Sequence, residues 1–388
     1  MAEATSLSGT SDRTFTRTIC LTVIQREYTR ACLTQPALGS LITVTARIRV
    51  GITGVSGYGG RELLRLCVGH PAFEVTYVGG DSSAGQRLDS LDPALLGRKQ
   101  GDLIVQAFDP GQLGEIDLLF ASLPTGGSRE PLSRVSANIR IVDVGGDHRF
   151  VDGWDYGLTE LPGARAAITG SSRVANPGCY PAASLLALAP LVASGLIEPA
   201  GIVVDAKSGV SGAGRGGRSE FGFAETNDDV MPYGLEKHVH VPEMCEALTR
   251  VQSGPVTVST PSNAPRVTIA FTPHLIPMTR GIVSTTYGRP VGSPSIDAIF
   301  ATAEAMYANE PFVKVVRPTN GRGPHSTWTT GSNLCFVTYS VNQVTGHIVA
   351  IGVIDNLGKG AAGQAIQNAN LMTGQVETAG LMGLPLSP

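Results

Sequence analysis

The 388-residue chain has no stretch of the ~18 or more consecutive apolar residues that a membrane-crossing helix needs, and no basic run. Neither a membrane nor a nucleic acid is therefore expected as partner, and a formal net charge of −3 gives no field for a polyanion. Its six cysteines, at positions 20, 32, 67, 179, 245 and 335, form no CxxC pair, and no His-x₃-His spacing accompanies them. That excludes the common zinc frames, so no metal is expected, and it favours reduced thiols in a cytoplasm over disulfides. What the chain does have is 42% hydrophobic against 16% charged residues, ample material for buried cores. Small anionic ligands remain open to it, because local charge decides their binding.

At this length two domains are the expectation. Residues 1–45, rich in Ser, Thr and Arg with little apolar periodicity, read as a leader. A disordered segment and a mis-assigned start are favoured over an organelle transit peptide, because Glu3, Asp12 and Glu27 interrupt the basic pattern. A transit peptide would move the protein to an organelle matrix.

Residues 47–52 read as a strand that runs into the turn Gly51-Ile52-Thr53-Gly54-Val55-Ser56-Gly57-Tyr58-Gly59-Gly60, with helix over residues 62–67. Strand, glycine turn and helix in that order suit a pyrophosphate, which needs close backbone approach and helix-terminal amides. The spacing is GxxGxxG rather than GxGxxG, and a purely structural turn is the competing reading. A second strand over residues 73–78 completes a βαβ unit. At its tip stand Asp81, suited to the ribose of NAD, and Ser82, Ser83 and Arg87, suited to the extra phosphate of NADP. The residues leave that choice open. Further strands over 116–121 and 139–144 end in turns carrying Ser122 and Pro124, and Arg149.

Asn176-Pro177-Gly178-Cys179-Tyr180-Pro181 precedes the apolar run 182–193 and the stop at Gly195, which places Cys179 at a helix start. There the dipole and unsatisfied amides favour a thiolate. The alternative is a small buried hydrophobe. Residues 201–206 read as a buried strand leading into a glycine-rich loop with Lys207, Ser208, Gly209, Arg215 and Arg218, able to wrap an anion or to serve as a solvated linker. Residues 233–243, read as extended, bring His238 and His240 to one side next to Glu243; catalysis and a metal pair compete, with no third ligand at a recognisable spacing. Residues 266–287 alternate like paired strands around residues 272–275, Ser293-Pro294 caps a helix with one apolar face, and a last strand and helix (351–372) return toward the first domain. Asn356 then lies near a nicotinamide or serves a cap and turn.

Together the runs GITGVSGYGGREL, YGLTEL, NPGCYP, DAKSGVSGAGR, HVHVPE, FTPHLIPMTRGI, GSN (331–333) and DNLGKGAAGQAIQNANLM resemble the N-acetyl-gamma-glutamyl-phosphate reductases in content and order, over residues 47–386. The resemblance implies an α/β fold: a Rossmann NAD(P)-binding domain (46–178, completed by 352–388) plus an α+β catalytic and dimerisation domain (179–351) of the glyceraldehyde-3-phosphate and aspartate-semialdehyde dehydrogenase type. It implies NADP(H) as cofactor, held by Gly51, Gly54, Ser56, Gly57, Tyr58, Gly59, Ser82, Ser83, Ser122, Pro124, Ser208, Gly209 and Asn356. Cys179 is then the nucleophile and His240, or His238, the acid/base. Arg149, Lys207, Arg215, Glu243 and Arg280 are the candidates for binding the acyl phosphate, its carboxylate and inorganic phosphate. A homo-oligomer, dimer or tetramer, follows as well. Ala182 stands where the family usually has Thr, Pro124-Thr125-Gly126 lacks a histidine found there, and Gly79-Gly80-Asp81 replaces a Thr- or Ser-bearing tip. A reductase of aspartyl or aminoadipyl phosphate, and a nucleotide-sensing protein without chemistry, are the rival readings.

Overall fold

The computed structural model describes residues 47–216, 219–257 and 263–386; the leader lies outside them, as does Arg218. Six strands, β1 (Ile48–Thr53), β2 (Phe73–Gly79), β3 (Leu118–Ala121), β4 (Arg140–Asp143), β5 (Asp155–Tyr156) and β6 (Arg173–Ala175), form a wholly parallel sheet in the order β2-β1-β3-β4-β6-β5. From β1 the chain goes outward to β2 and returns to β3 on the other side, so the order reverses between β1 and β3. A crevice opens at the carboxyl ends of those two strands, where doubly wound sheets bind ligands. Parallel strands covered on both faces read as continuous apolar runs, and all four residues of β3 are buried.

The second sheet has seven strands: β7 (Ile202–Gly209), β8 (Met231–Pro232), β9 (Ile269–Ile276), β10 (Ile282–Gly288), β11 (Val313–Val315), β12 (Cys335–Val341) and β13 (Ile348–Ile354), in the order β11-β12-β13-β10-β7-β9-β8. β9 and β10 are not partners, contrary to the sequence reading. β7 lies between them, parallel to β9 and antiparallel to β10, and residues 272–275 sit inside β9 rather than at a turn. Alternation reveals a half-buried strand but not its neighbour, because pairing depends on the path of distant chain.

Among the described residues, six helices are seven residues or longer: α1 (Tyr58–Val68), α2 (Ala164–Gly170), α3 (Cys179–Ala193), α4 (His240–Ser253), α5 (Ile296–Met306) and α6 (Gly363–Met372). α1 starts four residues earlier than expected, since glycines at positions 59 and 60 weaken helix propensity without forbidding the first turn. α5 is capped by Ser295, whose Oγ accepts from the Ala298 amide, not by Ser293. α3 is buried all round, as an apolar helix without a polar face must be, each fully buried leucine contributing about 1.5–3 kcal/mol. Pro190 inside it has no N–H for the Leu186 carbonyl, and the Tyr307 hydroxyl donates to that oxygen instead (2.6 Å). α3, α4 and α5 cover one face of the second sheet; α6 packs against α1, α2 and β4. The opposite face of the second sheet leaves Val203 and Tyr287 exposed.

Candidate active site

Gly178 is the N-cap of α3 (φ −70°, ψ 157°) and Cys179 its first residue. A Cβ on Gly178 would stand 2.3 Å from His240 Nε2, so the absent side chain is what lets the imidazole press against the start of the helix. His240 itself opens α4; the segment is not extended, and the two histidines meet through a turn. The His240 amide donates to His238 Nδ1 (3.1 Å), which puts the His238 proton on Nε2, and the His238 ring is packed by Tyr180, Tyr233 and Phe271. His240 is thus the histidine against the Gly178-Cys179 peptide, and its Nδ1 is buried without a partner.

Behind the cysteine lies a buried carboxylate. Glu243 Oε1 accepts from the Gly178 amide (2.9 Å) and the Tyr156 hydroxyl (2.7 Å), while Oε2 faces Arg149 Nη1 (2.7 Å). The other Arg149 donors reach the carbonyls of Asn176 (3.0 Å) and Gly145 (2.6 Å). Expected as ligands for substrate, Glu243 and Arg149 are engaged with each other and with the main chain around the thiol. The reason is that an isolated buried charge is costly, whereas a paired and fully hydrogen-bonded one is tolerated.

Burial pushes the Cys179 thiol up to about 11, against the opposing pull of the Tyr180 amide and the Arg149 charge. Burial, then the Arg149 and His238 charges, hold His240 well below its ordinary value. Both shifts favour the uncharged forms, thiol and imidazole. Against the expected thiolate, burial weighs more than the two amides and the arginine that oppose it.

The glycine turn closes the β1/β3 crevice. Gly54 has φ +75° and a Cβ there would lie 2.0 Å from the Ser122 carbonyl; one on Gly60 would lie 2.1 Å from the Gly54 carbonyl. Gly51 is instead a strand residue packed on Ile116, Leu119 and Tyr77. The working spacing is therefore 54, 57 and 60, one step along from the expected 51, 54 and 57. Gly57 caps α1, whose first intrahelical bond runs from the Arg61 amide to the Gly57 carbonyl. The preceding amides of Tyr58, Gly59 and Gly60 have no acceptor within the helix, and Ser122 Oγ borders Gly59. Such a cradle fits the pyrophosphate of a dinucleotide.

Residues 49–169 match the family model "Semialdehyde dehydrogenase, NAD binding domain", and residues 179–356 match "Semialdehyde dehydrogenase, dimerisation domain". N-acetyl-gamma-glutamyl-phosphate reductases from Bradyrhizobium sp. (strain ORS 278) and Methylobacterium sp. (strain 4-46) are 51% and 52% identical over 341 and 342 residues, spanning 88% of this chain and 99% of theirs. The chain belongs to the N-acetyl-gamma-glutamyl-phosphate reductase family. Its fold is shared with aspartate semialdehyde dehydrogenases from Vibrio cholerae (TM-score 0.64, 17% identity, 84% of this chain and 98% of that one) and, with NADP, from Candida albicans (TM-score 0.65, 17% identity, the same coverage). It is an oxidoreductase fold built for a nicotinamide cofactor.

In this member of the reductase family the remaining predicted residues divide by what they touch. Arg280 is bound by Glu62 (2.8 Å) and Asp355 (2.9 Å), tying α1 to the segment after β13. Asn356 donates to Ser211 Oγ (2.9 Å) and accepts from the Gly281 amide (2.7 Å), which makes it a brace for the loop after β7. Ser208 is buried, with its hydroxyl on the Gly209 carbonyl. Lys207 pairs with Asp205 (2.7 Å). Arg215, by contrast, donates to the main-chain carbonyl of Ser56 (3.1 Å) and so carries the glycine-rich loop to the glycine turn. At the tip of β2, Ser82 is exposed and Ser83 buried, Asp81 accepts from the Phe108 amide, and Arg87 is held by Asp89 and Asp102. Pro124 lies exposed in the turn after β3. Sequence reasoning missed Tyr156, Asn176, Lys359 and Gly360 around the cysteine. A lysine within a small-residue helical run was the one local signal for Lys359.

Proposed function

We propose that this chain reduces N-acetyl-L-glutamyl 5-phosphate to N-acetyl-L-glutamate 5-semialdehyde and phosphate with NADPH, a step of arginine biosynthesis, through a thioester on Cys179. The carrying observation is the His240 ring seated on the Gly178-Cys179 peptide at the start of a buried helix. As sulfur bonds to the acyl carbon, the thiol proton passes to His240 and the carbon–phosphate oxygen bond breaks, releasing phosphate. Bound nicotinamide supplies the hydride. The oxyanion left by hydride addition then collapses to the aldehyde as the carbon–sulfur bond breaks, and His240 returns its proton to the departing sulfur, restoring the thiol. The first-turn amides of α3 are placed to receive the oxyanion.

The cofactor residues assigned from the resemblance support the reading where they meet the crevice, namely Gly54, Ser56, Gly57, Tyr58, Gly59 and Ser122. Gly51, Asn356 and Ser208 are reassigned to packing and bracing. Among the cations, Arg149, Lys207 and Arg280 each face a carboxylate, so Arg215 is our candidate for the phosphate group, and Glu243 with Arg149 becomes a holder of the nucleophile. Residues 46–178 with 352–388 form the proposed cofactor domain and 179–351 the catalytic one. The exposed Val203 and Tyr287 on one face of the second sheet support a homo-oligomer, a dimer or tetramer, and the free cysteines among the described residues support a cytoplasmic setting. Among the described residues no helix is long and apolar enough to cross a membrane.

The test supplies purified protein with N-acetyl-glutamate semialdehyde, phosphate and NADP, in parallel with NAD and with aspartate semialdehyde, and follows nicotinamide reduction. Turnover with the acetylated substrate and NADP is expected. Preference for aspartate semialdehyde, or no turnover with either, would overturn the assignment.

A further inference from the structure

After β13 the chain forms one turn of π-helix, Gly358–Ala362, with the Gly360 amide on the Asp355 carbonyl (2.9 Å) and the Ala362 amide on the Leu357 carbonyl (2.8 Å). Such turns are rare and cluster at functional sites. This one lies directly behind the cysteine. A Cβ on Gly360 would stand 2.9 Å from Cys179 Cβ, and the Ala361 carbonyl accepts from Asn176 Nδ2 (3.1 Å), in the run that leads to the thiol. The turn's only charged side chain, Lys359, is wholly buried: its Nζ reaches Glu160 Oε1 (2.5 Å) and Gln367 Oε1 (2.7 Å). Glu160 belongs to the segment between β5 and α2, so the ion pair pins the turn to the first sheet's side of the molecule.

We propose that the π-turn, fastened by Lys359 and Glu160, is the backstop that fixes the Cys179 side chain opposite His240. Gly360 and Lys359 are then positioning residues for the nucleophile. The geometry supports this over plain packing because the turn grips the cysteine run at two points, Asn176 and Cys179, while its fastener reaches a third element. A lysine with no exposed surface has no role in binding substrate, and its charge is matched inside the protein. The catalytic meaning of this inference rests on the proposed function; its structural claim, control of the Cys179 thiol, does not.

The test reads iodoacetamide alkylation of Cys179, located by peptide mass spectrometry, so it succeeds or fails whatever the substrate is. Gly360→Ala is expected to change that rate about tenfold or more at fixed pH and to lower kcat with the cofactor KM within about twofold. Gly101→Ala is the control: its Cβ would meet the Leu95 carbonyl oxygen at 2.4 Å, so it strains the fold away from both the π-turn and the thiol. It is expected to lower the melting temperature with the alkylation rate within about twofold of wild type. If Gly360→Ala does not fold, the double swap Lys359→Met/Glu160→Gln removes both charges at similar volume, and the same change in thiol reactivity is expected. Native-state hydrogen exchange on the unaltered protein closes the remaining case, with Gly360 and Ala362 amides as protected as the middle of α3. Wild-type alkylation rates in a folded Gly360→Ala or double variant, or fast exchange across residues 358–362, would overturn the proposal.

Discussion

The starts of α1 and α3 are nearly the same object put to two uses. Both follow a glycine N-cap with extended backbone, φ −75° and ψ 164° at Gly57, φ −70° and ψ 157° at Gly178, and neither has a side-chain cap. At both, the first amides have no acceptor within the helix. They differ in what stands over the glycine. A Cβ at Gly57 would meet only the Gly54 carbonyl, at 3.4 Å, and otherwise project into open crevice; one at Gly178 would collide with an imidazole. A glycine turn at one helix start accommodates an incoming ligand, and at the other it accommodates a side chain of the protein itself. On the proposed function, the same local sequence chemistry serves cofactor binding in one place and the nucleophile in the other.

The largest expected effect separates the two starts outright. Cys179→Ser should reduce turnover by about 10⁴-fold or more while cofactor affinity, measured by nicotinamide fluorescence, stays within about twofold. Gly178→Ala comes next: moving the imidazole by about an ångström should lower kcat by roughly 10²-fold. The parallel change at the other start, Gly57→Ala, should raise the cofactor KM about tenfold and leave kcat and melting temperature nearly unchanged. Equal effects of the two alanines on kcat would erase the contrast.

Much of this contrast was readable in the chain, because helix starts are local. The Pro-Gly-Cys run, the glycine turn and the final helix are each set by a few neighbouring residues. What could not be read is contact across sequence: Glu243 reaches Gly178 over 65 positions and Arg149 over 94, so two residues with the right charge for substrate prove to hold the main chain around the thiol. The partner of Arg280 was hidden for the same reason, Glu62 lying 218 residues away. The pairing of β9 failed likewise, since β7 enters between β9 and β10 from earlier in the chain. The upward push on the thiol was invisible too, because burial is a property of the finished fold.

Acid and base sharpen the comparison further. With Cys179 raised to about 11 and His240 lowered, the thiol–imidazole pair that transfers the proton is intact across the neutral and mildly alkaline range, so kcat/KM should be level there and fall in acid as His240 protonates. A continuous rise through that range would instead show that the thiol must ionise before it attacks. The smallest effect is on stability. His240, His238 and His70 all have folded values below their ordinary one, so protonation favours the unfolded chain. Their contribution is fully present above about 6.5 and is lost as pH falls below it, which should lower the urea midpoint between neutral and mildly acidic buffer. His240→Asn should weaken that dependence.

Covalent capture tests the central claim most directly. The protein is mixed with N-acetyl-glutamyl 5-phosphate without reduced nucleotide, quenched in acid, and weighed intact and as peptides. One N-acetylglutamyl group on Cys179 is predicted, discharged as aldehyde when NADPH is added. An enzyme that turns over fully yet carries no acyl group, or carries it on another residue, would contradict the account.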